Sequence, residues 1–392
     1  LGVAEAVAVQ EDPTVKGLRE KSFSLQERAV ADGQLPDPKV RLGLLNFPTD
    51  TFNRSQEPMT QVQVGVQQDF PRGKTLDYTA RRSSILADAE QARAADRDLK
   101  VLKAVRTGWL ETYYWVQATT VVSASQELFT QLVNITRARY AAGQRNQQEV
   151  LRAELELGLL DDRQTRIRTM EERMRADLAR WVGEERAAWR LPPDLPELPP
   201  VSSRDALAAA LPRHPSIVTE NANVAAGQQS VAIAREAYKP RWRLDLAYGF
   251  RDGDNPDGRD RPDLASAAVS VDVPLFVGKR QDRRLAASQH ELNAIIQGRH
   301  ERHRELVRVL DETFATWQRL GERIRQYETA LLPQAEETAD AAISAYQSNR
   351  GDFTLLMRAR ITELEMRLQS LRLRVDRAKA QAGLLYLAGE NR

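Results

Sequence analysis

The chain repeats itself, and a duplication constrains a fold more tightly than any local propensity, because both copies must build the same unit. Asp12-Pro13-Thr14-Val15 returns as His214-Pro215-Ser216-Ile217, each opening a helical pattern with proline in its first turn. LPDPKVRLGL from Leu35 matches AYKPRWRLDL from Ala237, which sets Pro38 over Pro240. VQVGVQQDFPRGK from Val62 matches AVSVDVPLFVGK from Ala268, setting Gly73-Lys74 over Gly278-Lys279, and RYAAG at Arg139 matches AYQSN at Ala345. The four matches are collinear. Between the halves, LPPDLPELPPVSS from Leu191 to Ser203 is too rich in proline to continue a helix and reads as a stiff, extended connection. The expected organisation is a first repeat over 1–190, a linker over 191–203 and a second repeat over 204–392.

Each half runs helix, strand, loop, strand, very long helix, break, long helix. The strands, expected near 37–46, 60–70, 240–250 and 264–276, are read from strict alternation. Val62, Val64 and Val66 alternate with Gln63, Gly65 and Gln67, and Val269, Val271 and Val273 alternate with Ser270 and Asp272. Leu42 and Leu44 alternate with Arg41 and Gly43, while Trp242, Leu244, Leu246 and Tyr248 alternate with Arg243, Asp245 and Ala247. One face is apolar and the other polar. Phe47, Phe70, Tyr238, Trp242, Phe250 and Phe276 gather at or near the strand ends, where an interfacial girdle would sit.

The long helices are expected over 74–140, 148–190, 279–346 and 353–388. From Lys74 to Tyr140 there is no proline, so a continuous helix would run roughly 100 Å at about 1.5 Å per residue. Apolar residues recur every three or four positions, as at Trp317, Leu320, Ile324, Tyr327 and Leu331, and at Leu364, Leu368, Leu371, Val375 and Ala378, a narrow coiled-coil seam. Pro333 should bend the second long helix or loosen one turn.

Composition closes off other classes. The 392 residues contain no cysteine, so disulfides and thiolate metal sites are excluded, and a formal net charge of +2 gives no bulk reason to expect nucleic acid. No apolar run reaches the 18 or so residues a spanning helix needs. Leu1 to Gln10 lacks the basic head and apolar run of a secretory signal, which decides nothing about compartment. Nothing resembles a nucleophile elbow, a P-loop or a dinucleotide fingerprint, so an enzyme is not expected, nor any cofactor.

Four strands with one apolar face cannot stand alone in a bilayer, since an open sheet leaves unpaired backbone edges where no water can satisfy them. Other copies must complete a barrel; two would give eight strands and three would give twelve, and the long helices favour three. At this point the chain resembles the TolC-like outer-membrane efflux channels, closest to their heavy-metal and cation efflux branch. The resemblance rests on the duplicated strand pairs, DFPRGK at Asp69, VPLFVGKRQ at Val273, LLPQAEET at Leu331, and the turns RYAAGQRNQQEVLRAE and AYQSNRGDFTLLMRAR; EPMTQVQVGVQQDFP at Glu57 carries the metal-branch likeness. It implies a mainly α chain with a membrane β-barrel portion, a homotrimer whose four strands per chain form a 12-strand β-barrel on a 12-helix α-barrel. It also implies an outer-membrane site in a Gram-negative bacterium with a large periplasmic portion, outer-membrane lipid around the barrel, and a periplasmic adaptor and inner-membrane transporter as partners. The cargo would include heavy-metal cations.

The candidate sites follow. Tyr140, Gly143, Arg145 and Gln147 in the first half, with Tyr346, Asn349, Gly351, Asp352 and Phe353 in the second, lie where each long helix stops and another starts. The plainer reading is a hairpin turn; the resemblance makes these turns adaptor-docking tips. It also makes Glu149, Arg152, Leu355 and Arg358 the aperture positions, where the family's carboxylate is replaced and a guanidinium either holds the closed state by pairing with a carboxylate such as Glu149 or Glu154 or is merely solvated. An arginine constriction would hinder free cations. Arg41, Gln63, Arg243, Asp245 and Asp272 fall on the polar strand face and should line the barrel lumen, or otherwise form an ordinary solvated face. His300 and His303 stand one turn apart beside Glu301 and Glu305, and are read as solvated helix surface rather than a metal site. Two other classes compete: a soluble coiled-coil adaptor whose strands pack on one another, disfavoured by the duplication, and a helical-bundle enzyme, which lacks convergent carboxylate and histidine pairs.

Overall fold

The computed structural model describes residues 1–144, 146–348 and 350–389. The chain is mainly helical and divides into two compact units, each drawing on both sequence halves: Leu1–Gly17 with Ala94–Ile217 and Arg302–Arg392, and Leu18–Arg93 with Val218–Glu301.

The second of these units holds one four-stranded antiparallel sheet, with β1 Lys39–Leu45, β2 Gln61–Phe70, β3 Arg241–Arg251 and β4 Leu264–Asp272 in spatial order of their numbering. Both repeats therefore feed one sheet, joined where β2 pairs with β3. The register keeps period two across all strands: Leu42 faces Val64, Val64 faces Tyr248, Val66 faces Leu246, and Leu244 faces Val269. Apolar residues thus align on one face, and that face is open: Val40, Leu42, Leu44, Leu246, Phe250 and Val269 are all exposed. β1 and β4 each have one pairing edge unused. β4 stops at Asp272, ahead of Pro274, whose ring nitrogen cannot donate to a ladder, so Val273 and Phe276 lie beyond the strand.

The strands are welded to their helices at one corner. Glu236, the last residue of α7 (Pro215–Glu236), accepts from the Lys74 amide at 2.8 Å and from Lys239 Nζ at 2.8 Å, just ahead of α3 (Thr75–Ala141). Gly73 adopts φ +49, and a Cβ there would collide with the Glu236 carboxylate. Only glycine fits this close approach. Burial alone would raise the Glu236 carboxyl, but the hydrogen bonds from Lys239 and the Lys74 amide outweigh it and hold the group below its ordinary range.

The remaining elements are helices. α1 (Gly2–Glu11) gives way to α2 (Pro13–Asp32) at Asp12, whose Oδ1 caps α2 through the Val15 amide at 2.8 Å while Arg97 holds the same carboxylate. The 67-residue α3 runs without interruption into a turn. α4 (Gln147–Val182) returns from it and ends at Gly183, φ +83, before a single turn, α5 (Glu184–Ala187). The proline-rich segment follows without helix, its Pro193 carbonyl taking the Tyr113 hydroxyl and its Leu198 and Pro199 carbonyls taking Gln381. α6 (Arg204–Ala210), capped by Ser203, leads into α7.

In the second repeat the long helix is not continuous. α8 (Gln281–Gln326) passes through a π-helical turn, Tyr327–Leu331, into α9 (Leu332–Gln347), and α10 (Phe353–Ala388) returns. The wide turn sits just before Pro333. Proline lacks the donor for the carbonyl of Thr329 and its ring crowds that carbonyl, and one extra residue per turn relieves both. The expected disturbance at Pro333 is thus a loosened turn. Among the described residues no helix is long and apolar enough to cross a membrane.

Candidate functional site

Two places gather the residues singled out from the sequence: the polar face of the sheet and the helical hairpin turns. On the sheet, all eight charged strand residues, Lys39, Arg41, Asp69, Arg241, Arg243, Asp245, Arg251 and Asp272, share one face by register, together with Gln61, Gln63 and Gln67. Arg41, Gln63, Arg243, Asp245 and Asp272 are therefore on the polar side as expected. Asp69 is the centre of the group, reached by Arg243 at 2.8 Å, Arg241 at 3.2 Å and Lys39 at 3.6 Å. Arg41 donates to Gln67 at 2.7 Å and lies 3.7 Å from Asp245. Sequence reading missed Asp69 because alternation falters at Gln67-Gln68, and only the pairing register puts Gln68 opposite Leu244 and Asp69 opposite Arg243. The apolar side carries aromatics at both ends: Phe70 pairs with Trp242, and Tyr248 meets Phe250 edge-on at 4.9 Å.

Three Arg residues tie the two long loops beyond the far ends of the strands. Arg54 pairs with Asp252 at 2.6 Å, Arg261 donates to the carbonyls of Ser55 and Glu57, and Arg251 donates to those of Pro262 and Pro58.

At the first hairpin turn, Tyr140 closes α3 half-exposed, Gly143 takes φ +70 and bonds back to the Tyr140 carbonyl at 2.9 Å, and Asn146 caps α4 through the Glu149 amide. Gln147, the first residue of α4, is exposed. Arg145 and Asn349 lie outside the described residues. At the second turn, Asp352 caps α10 by accepting from the Thr354 amide at 2.6 Å. Gly351 has no room for a side chain, since a Cβ would stand 2.9 Å from the Tyr346 nitrogen.

Tyr346 and Phe353 are not surface groups. Each is 1% exposed, and their rings meet at 5.5 Å inside a core formed with Phe129, Leu132, Val133, Ala153, Leu160, Met357 and Leu364. Arg139 lies over the Tyr346 ring at 4.9 Å and donates to the Tyr346 and Gln347 carbonyls, while the Tyr346 hydroxyl donates to Glu149 at 3.1 Å. Both aromatic side chains, expected as adaptor contacts, instead hold the two hairpins together. The repeat match could not reveal this, because Tyr140 and Tyr346 are equivalent in sequence and opposite in burial.

The aperture positions make the following contacts. Arg152 donates to the Thr354 hydroxyl rather than to a carboxylate; Glu154 is taken by Arg137 at 2.6 Å and Glu149 by Tyr346. Leu355 and Arg358 are exposed and line a groove of about 660 Å³ between α9 and α10, floored by Ala335, Ala341, Ala342, Ala345 and Ala359. Leu151, Leu155 and Leu159 form an exposed stripe along α4. His300 approaches the Arg299 guanidinium at 3.2 Å on an exposed helix.

Farther along the helices, sequence reading also passed over a buried polar junction. His214 bonds Ser216 at 2.8 Å and the Tyr386 carbonyl at 3.0 Å, and the Tyr386 hydroxyl donates to Asp96 at 2.9 Å. Burial depresses the imidazole, and burial with the Asp96 charge raises the phenol. Every polar group there has a partner, so it reads as a structural joint.

Residues 206–390 match the model of the outer membrane efflux protein family. No curated protein matches the chain. Among solved structures, the outer membrane protein VceC of Vibrio cholerae is similar over 99% of this chain and 95% of its own, with TM-score 0.82 at 16% identity. CusC, described for transmembrane channel formation, is similar over 100% and 92%, with TM-score 0.81 at 13% identity. A membrane protein of Pseudomonas aeruginosa gives TM-score 0.84 at 14% identity over 99% and 91%. The fold of the whole chain is thus that of the outer-membrane efflux channels, the family its strand pairs and turns resemble.

Proposed function

We infer that three copies of this chain form a passive outer-membrane channel, the exit duct of a tripartite efflux pump of the outer membrane efflux protein family. One observation carries the reading: a sheet with one broad face of exposed apolar side chains, every strand charge on the other face, and a free edge at each end. Lipid suits the first face, a water-filled lumen the second, and edge pairing between copies the third. The aromatic pairs at both ends of the apolar face sit where headgroups would meet the barrel. The helical portion extends into the periplasm, and its hairpin turns, presenting Tyr140, Gly143 and Gln147, dock an adaptor joined to an inner-membrane transporter. Energy for transport comes from that transporter.

Detergent-extracted protein added to a planar lipid bilayer should open ion-conducting pores; absence of conductance from every preparation contradicts a channel. For cargo, the likeness around Glu57 favours heavy-metal cations. Deleting the gene in its host and testing a panel of metals and toxic organics checks this. Lowered metal tolerance is the expected result, and unchanged metal tolerance with lowered drug tolerance rejects it.

A further inference from the structure

The charges on the polar strand face are neither spread evenly along it nor balanced. The register sets them in rows across the sheet, with Arg241 beside Asp272 and, one row on, Asp69 beside Arg243. Lys39 then stands level with Gln67 and Asp245, and Arg41 with Gly65 and Ala247. The next row, Gly43, Gln63 and Gly249, has no charge, and beyond it only Arg251 carries one. All the other strand charges therefore form a collar at the end of the sheet that joins the helices. Four of them are cations and three are carboxylates, and they are not equally presented. The side chains of Lys39 and Arg41 are 67% and 65% exposed and those of Arg241 and Arg243 39% each, whereas Asp69 and Asp245 keep only 13% and 26%. Asp69 is shared by three cations, and Arg41 lies 3.7 Å from Asp245. Asp272 is more open, at 63%, with Arg241 3.9 Å away.

We propose that this collar makes the barrel anion-selective, so that small anions such as chloride pass it more readily than cations of similar size. An ion crossing the collar meets the ammonium and guanidinium groups, which are the exposed ones, while two of the three carboxylates are covered. Each copy brings one excess positive charge to the collar, and a trimeric lumen gathers three. A ring of like charge facing water concentrates ions of the opposite sign and repels its own, and rings of arginine and lysine are how pores favour anions. The loops past the opposite end of the strands hold carboxylates, but the first of them, Asp252, follows Ala247, level with Arg41, by five residues. That is roughly 16 Å along a strand, about two screening lengths at physiological ionic strength, so the collar acts on a passing ion by itself. The effect is a preference and not an exclusion: a cation driven by a transporter still crosses, against a barrier that an anion does not meet.

Resting on the trimeric channel reading, the collar adds the sign of the charge that its barrel favours. Pores of the extracted protein in a planar bilayer between unequal KCl solutions should show a zero-current potential of the sign set by chloride. Chloride should permeate about threefold better than potassium, the effect of a net charge within a screening length of the ion. The preference should fade as both solutions approach about 1 M, where that length shrinks to about 3 Å. The double variant Lys39→Glu with Arg41→Glu should reverse it in favour of potassium, while Lys39→Arg with Arg41→Lys, which keeps both charges, should match the wild type. Lys39→Gln alone should move the potential in the direction of the double variant by a smaller amount, and decides the matter if the double variant does not assemble. A wild-type pore that prefers potassium overturns the collar and leaves the channel reading intact. So does a chloride preference that the Lys39 and Arg41 variants leave unmoved. Absence of pores from every preparation overturns the channel reading itself.

Discussion

The sheet and the helical hairpins both leave large apolar side chains uncovered, but in different shapes. On the sheet the exposed set is an entire face, four strands wide, without one charge and with aromatics at its two ends. On α4 it is a single row of leucines, with Arg152 and Glu154 a residue away on either side of the row. A broad, uncharged face suits a fluid apolar solvent, whereas a narrow stripe flanked by charge suits one helix of a protein.

The largest way to break that contrast lies in the hairpin interior. Phe353→Ala should lower stability by about 3–5 kcal/mol, since it empties a fully buried aromatic site. Its repeat counterpart Gln147→Ala, at an exposed position, should stay within about 0.5 kcal/mol. Denaturant unfolding of the extracted protein separates the two, and equal effects would mean the hairpins are not packed as described.

Next in size is the sheet. Val64→Arg puts a charge on the apolar face and should cost about 2–4 kcal/mol in a bilayer, read as loss of assembled protein from outer membranes. Gln63→Arg, its neighbour on the polar face, should assemble normally. Similar yields for both would show that the two faces are not differently solvated. The smallest effect is at the turns: Asp352→Ala and Asn146→Ala each remove a cap and should cost about 1 kcal/mol, measured by the same unfolding.

Much of this was legible beforehand, for a physical reason. Period-two alternation at Val62, Val64 and Val66 and an uninterrupted helical pattern after Lys74 are local signals, and they mark β2 and α3 to within a residue or two. The set on the polar strand face followed from the same alternation. What stayed hidden needed a third dimension. Asp69 becomes a hub only once β2 and β3 are paired in register, and the space beside Gly73 is closed by Glu236, which arrives from a distant part of the chain. Pro333 announced a disturbance, but not that a π-helical turn would absorb it. Tyr346 and Phe353 matched exposed residues of the first repeat, and which hairpin buries that face is set by how the two pack on each other, not by the local sequence.

The central claim is that one chain's sheet is a third of a closed barrel. The mass of the extracted protein, determined by light scattering with the detergent contribution subtracted, tests it most directly. The account predicts three times the 44.2 kDa chain, held only while detergent or lipid is present. A monodisperse 44.2 kDa species that stays in solution without either would contradict it.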